Sequence, residues 1–188
     1  WLSLPLKSTT IEKTLTNWQL HCDKQRNRMQ ELETENNKLF IDVYGLSNEL
    51  TPDVPVDQIT LAKPENESDI KQLLSYAAGC MMGRYSLDKK GLIYAHSKNE
   101  GFDTSKYSTF PADDDGIISM SEMEDLMVRD DITTRFTEFL DVVWGKETLS
   151  ENLKFVADTL GSKTNELPRE TIRRWVSTEF FRDHLQRY

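Results

Sequence analysis

From Ile11 onward, Ile11, Leu15, Trp18, Cys22, Gln25, Met29, Leu32, Asn36, Leu39 and Val43 recur at alternating spacings of four and three. Only Gln25 and Asn36 are polar in that series, and such a repeat predicts one long helix with a narrow seam meant for another helix. Thr9 and Glu12 fit a capping box at its start, and Gly45 supplies a stop. The predicted helix spans roughly 35 residues, or about 50 Å. Most amphipathic helices join a core, so the seam is expected to be packed. Lys24, Arg26, Arg28, Glu31, Glu33 and Glu35 fall mostly off the seam and read as a solvated face.

Pro52, Pro55 and Pro64 surround the short apolar stretch Ile59 to Leu61, which marks a connector with at most one strand. A second helix is expected after Asn66, burying Ile70, Leu73, Leu74, Ala77, Ala78, Met81 and Met82. Its Gly79 and Gly83 stand four apart and would permit close helix packing. Residues 91–95 read as a short strand, and Ser97 to Ser108 as a loop. Helical spacing resumes with Ile132, Phe136, Phe139, Leu140, Val143 and Trp144 up to Gly145. Thr148 and Glu151 fit a capping box for a helix carrying Leu149, Leu153, Val156 and Leu160. Pro168 opens a last helix with Ile172, Trp175, Val176, Phe180 and Leu185 inward. The whole reads as mainly α, a helical bundle with one long heptad-patterned N-terminal helix and little β structure. Its expected parts are a spacer helix over 1–46, a proline-rich connector over 47–66 and a helical domain over 67–188. A short β or loop insertion falls around 91–120.

Composition narrows the function classes. No run approaches the roughly 18 apolar residues of a membrane span, and no secretory signal opens the chain. Cys22 and Cys80 sit inside helical apolar patterns, as reduced core thiols of a cytoplasmic protein do. The chain starts at Trp1, and its last predicted helix reaches Tyr188 without a stop signal, so both ends read as cut. The net charge of −9 argues against a continuous phosphate-binding face and leaves room for a local one.

Motifs with chemistry are few. Asp53, Asp69 and Lys71 match a metal-dependent nuclease core only formally, because two of them fall in the first turn of a predicted helix. Pro111 to Glu122 has a calcium-loop-like order of acids, glycine and glutamate, but Pro111 would occupy the first ligand position and offers no side-chain oxygen. An acidic turn is the better reading. Asn66-Glu67-Ser68 matches a glycosylation acceptor without meaning in a cytoplasmic chain. His21, His96 and His184 show no zinc spacing, so neither metal ligands nor catalytic residues are assigned. One cluster invites phosphate: Arg84, Tyr85, Ser86, Lys89 and Lys90 combine cations, an aromatic and a hydroxyl at a helix end. Against this, Lys89 and Lys90 also suit a solvated turn that offsets a helix C-terminus.

Three strings carry a family resemblance. Phe40 to Leu46, Glu49 to Pro55 and Ser75 to Asp88 are similar to the PglX family, the adenine-specific DNA methyltransferases of bacteriophage-exclusion (BREX) defence. Members are often described as type II restriction-modification enzymes. Phe110 to Asp113, Glu147 to Leu160, Pro168 to Glu170 and Phe180 to His184 extend the likeness over nearly the whole chain. The resemblance implies a parent that binds S-adenosylmethionine and flips adenine into a pocket with an Asn-Pro-Pro-Tyr motif. Neither that motif nor a glycine-rich cofactor loop occurs here, so no catalytic residue and no cofactor transfer to this chain. It would be a helical spacer and DNA-target-recognition-associated region beyond the catalytic domain, meeting double-stranded DNA through the parent. The alternative is a scaffold that docks other defence proteins through the seam or the acidic surface.

Overall fold

The computed structural model describes residues 6–61, 63–96, 100–114, 116–120 and 131–187. Among these the chain is a helical bundle without a sheet; its one β interaction is an isolated parallel bridge between Ser119 and Asp131. The chain divides into two compact units. One holds residues 1–8 and 13–65, the other residues 9–12 and 66–188.

The first unit is dominated by α1, Ile11–Tyr44, close to the extent that the heptad spacing predicts. Gly45, at φ 70°, ends it: Leu46 N donates to Ile41 O (2.9 Å) and Gly45 N to Asp42 O (3.2 Å), the paired bonds of a Schellman cap. The connector then runs back antiparallel along the helix. Arg26 Nη2 donates to Val56 O (3.2 Å), Gln30 Nε2 to Val54 O (2.7 Å) and Asn37 Nδ2 to Pro52 O (3.3 Å). Arg26, expected in solvent, is thereby buried, as is Ile41. Ile59 to Leu61 forms no strand, within the expectation of at most one, and a single 3-10 turn, Val56–Gln58, precedes it.

The expectation of a packed seam holds only at its start. Ile11 and Leu15 are buried and Trp18 and Cys22 half-buried, whereas Met29, Leu32, Leu39 and Val43 lie open. The face that receives the connector is the polar one, because a proline-containing extended segment presents carbonyls that need donors.

In the second unit, α2 (Asn66–Met81), α3 (Ile132–Trp144), α4 (Leu149–Thr159) and α5 (Pro168–Trp175) pack on one another. Ile70, Leu73, Met81, Phe136, Phe139, Leu140, Val156 and Ile172 form the core. Asp131 caps α3, accepting from Thr134 N (3.0 Å), and forms a buried ion pair with Arg173 Nη1 (2.9 Å). The expected capping box at Thr148 does not form. Its hydroxyl donates back to Trp144 O (3.2 Å) and accepts from Asn152 Nδ2 (3.2 Å). Asn152, wholly buried, also accepts from Ile11 N (2.9 Å), so it satisfies one of the orphan amides of the first turn of α1.

The last helix departs from its expected face. After α5 the chain widens into a π turn, Val176–Phe180, before α6 (Phe181–Arg187). A π turn advances less per residue than an α turn, so the residues beyond it lag behind the α-helical phase. His184 therefore faces in, stacked on Phe180 and hydrogen-bonded through Nδ1 to Ser75 Oγ (2.9 Å), while Leu185 is exposed.

Candidate nucleic-acid interface

The basic turn begins where α2 ends. Gly83, at φ 71°, is again a Schellman position: Arg84 N donates to Gly79 O (2.8 Å) and Gly83 N to Cys80 O (3.1 Å). The two glycines admit aromatic side chains, not a second helix. A Cβ on Gly79 would stand 2.5 Å from Tyr85 Cδ2, and one on Gly83 2.7 Å from Phe102 Cε2. Tyr85 stacks on Tyr76 at 5.3 Å, and Phe102 on Tyr107 at 5.2 Å. Tyr107 in turn donates from its hydroxyl to Gly83 O (2.6 Å). Burial raises the Tyr76 hydroxyl pKa and pushes the Cys80 thiol up to about 11, so Cys80 stays a protonated core thiol.

The rest of the turn is tied at several points. Ser86 Oγ donates to Lys106 O (2.6 Å) and accepts from Asp88 N (3.0 Å), and Ile93 N donates to Arg84 O (2.8 Å). That last bond is the nearest approach to the strand expected at 91–95, which does not form. Asp88 accepts from Thr109 N (2.9 Å) and from the Thr109 hydroxyl. Those bonds, the hydroxyl first, hold the Asp88 carboxyl below the usual carboxylate range.

Of the five residues singled out in the sequence, the structure separates two kinds. Tyr85 and Ser86 build the turn, the former as a half-buried ring, the latter as a buried hydroxyl. Arg84, Lys89 and Lys90 reach solvent, and among the described residues none of the three forms an ion pair. The clamp between Asp88 and Thr109 and the aromatic props Phe102 and Tyr107 were not foreseen. They lie 19–24 residues beyond the positions they hold, and no local spacing signals such pairs.

The other motifs resolve into structural roles. Lys71 Nζ pairs with Glu67 (2.6 Å) on its own helix and lies 3.9 Å from Asp183. Asp113 Oδ2 accepts from Gly116 N (2.8 Å) and Ile117 N (3.2 Å), an Asx-type turn. Asp115, Ser121 and Glu122 of the calcium-like string lie outside the described residues. No group of metal-ligating side chains gathers among the described residues. The Ser75 and His184 pair joins α2 to α6, and Ser75 lies mid-helix, where backbone amides are already bonded and cannot form an oxyanion hole. No described helix is long and apolar enough to cross a membrane.

No protein-family profile matches the chain. The chain is a homologue of one segment of the adenine-specific methyltransferases of the PglX family. It is 39% identical over 183 residues, 97% of its length, to the adenine-specific methyltransferase PglX of Lacticaseibacillus casei (strain Zhang). It is 46% identical over 138 residues, 69% of its length, to the adenine-specific methyltransferase BrxX of Escherichia coli O9:H4 (strain HS). The matched segments span 15% and 11% of those relatives.

Proposed function

We propose that these residues form a helical spacer and DNA-target-recognition-associated region of an adenine-N6 DNA methyltransferase of phage-defence type, acting on double-stranded DNA in the cytoplasm. In this reading, residues 1–46 set distance, 47–66 brace the helix, and 67–188 present the basic turn to phosphates. The methyl donor, S-adenosylmethionine, would be bound elsewhere in the parent polypeptide. The absence of an Asn-Pro-Pro-Tyr motif and of a glycine-rich cofactor loop from the sequence supports that placement.

One observation carries the reading: Arg84, Lys89 and Lys90 stand exposed and, among the described residues, without ion pairs on a turn fixed by Gly79, Ser86 and Asp88. Preorganised cations lose little freedom when they meet phosphates, and each contact releases counterions. Replacing all three by alanine in the full polypeptide is the test. Binding should weaken on every DNA sequence, and the slope of log K against log salt should flatten by up to about 2.7, at roughly 0.9 per phosphate. Unchanged affinity and slope, with circular dichroism confirming the fold, would refute a DNA role for the turn.

A further inference from the structure

Along α1 the connector covers only one side, through Arg26, Gln30 and Asn37, and leaves the heptad seam next to it open. Leu32 is 44%, Leu39 65% and Val43 79% exposed, with Met29 at 37%. Assigning Met29, Asn36 and Val43 to a positions and Leu32 and Leu39 to d positions gives two heptads of coiled-coil seam. Its single polar member is an amide, and that residue type at a costs stability and selects a partner that can hydrogen-bond to it. Solvent exposure of such a stripe is unfavourable, and its regular spacing fits a helix better than any irregular segment.

We propose that this stripe receives an amphipathic helix from the part of the same polypeptide that lies outside these 188 residues. The proposal rests on the longer protein that the relatives imply, since the matched segments are only 15% and 11% of them, and not on the DNA contact. A second copy fits less well. Fully burying one such side chain removes on the order of 60–120 Å², so four from each of two helices give about 500–1,000 Å². That falls short of the roughly 1,200 Å² at which stable interfaces between separate chains begin. A helix within the same polypeptide needs less, because its effective concentration is on the order of millimolar. The free flank of the seam defines the chemistry of the occupant. Glu35 and Asp42 occupy g positions, while Arg28 at the preceding g position is already paired with Glu31 (2.9 Å), so the partner helix carries bases opposite Glu35 and Asp42, a hydrogen-bonding side chain opposite Asn36, and leucine-like residues between.

The test is thiol protection without DNA, so that it does not depend on the basic turn. Leu39→Cys on the seam and Lys38→Cys off it are each placed in the 188-residue chain and in the complete polypeptide from the same gene. Maleimide labelling is read at the probe's own peptide. Leu39→Cys should react about tenfold or more slowly in the complete polypeptide, with Lys38→Cys equal in both. Equal labelling of Leu39→Cys in both samples would overturn the proposal. So would protection in the short chain that grows with its concentration, which would identify a second copy as the occupant.

Discussion

Gly79 offers the sharpest test of how the basic turn is held. Replacing a glycine inside a helix by alanine ordinarily stabilises by about 0.5–1 kcal/mol, because it removes backbone freedom from the unfolded chain. Here the new methyl would lie 2.5 and 2.8 Å from two carbons of the Tyr85 ring, well inside van der Waals contact. The ring cannot simply swing away, since it is stacked on Tyr76. Overpacking of this kind costs about 1–3 kcal/mol, so Gly79→Ala should be destabilising by up to about 2 kcal/mol net. In a Tyr85→Ala background the obstacle is gone, and the same substitution should become stabilising by about 0.5–1 kcal/mol. Urea unfolding of the four proteins, followed by circular dichroism, measures the coupling, expected at about 1–3 kcal/mol. If Gly79→Ala changes stability equally in both backgrounds, or stabilises the parent, the close approach of Tyr85 does not explain the glycine.

Asn152→Ala should cost about 2–4 kcal/mol in urea unfolding, because it strands the buried Ile11 amide and opens a small cavity; a cost below about 1 kcal/mol would refute that role. Glu166 is held down to about 2, first by the Arg174 guanidinium, then by the Lys163 amide and the Thr171 hydroxyl, against an ordinary 4.5. A carboxyl with a depressed folded-state value contributes stability above its unfolded value and loses it as pH falls through the folded one, so the Tm gap between the parent and Glu166→Gln should shrink from about pH 5 to about pH 2.5. A gap constant over that range would remove Glu166 from the account. Leu15→Asp should cost on the order of 3 kcal/mol or more, whereas Leu32→Asp should cost less than about 0.5 kcal/mol in this chain; equal costs in thermal melts would contradict the exposure of the seam.

The helices were legible because each has a run of spaced apolar residues and a stop. The spacing from Ile11 to Val43 and the glycine at 45 bracket α1, and Pro168 marks the start of α5. What the pattern could not reveal was which side of α1 is covered, because it counts apolar positions, while the connector is held by Arg26, Gln30 and Asn37. A signal was present: donors at spacings of four and seven, beside a segment whose prolines lack amides of their own. The inward turn of His184 was invisible for another reason. A π turn changes the phase of the helix after it, and no residue type announces one. At the candidate site, Arg84, Lys89 and Lys90 could be picked out by charge. The inward placement of Ser86 depends on the distant Lys106 carbonyl, which local sequence does not predict.

The bracing of α1 works like a vernier. Its accepting carbonyls belong to every second residue, Pro52, Val54 and Val56; the helix rises about 6 Å from Arg26 to Gln30 against about 6.6 Å for two extended residues, and about 10.5 Å from Gln30 to Asn37 against the same 6.6 Å, so the long side chains take up the difference. Loss or gain of one residue between 52 and 56 would turn alternate carbonyls away from their donors. The same change in the bend before Thr51 would leave all three bonds in step. Among natural variants of this segment, length changes should therefore collect between Leu46 and Leu50 and avoid Pro52 to Val56.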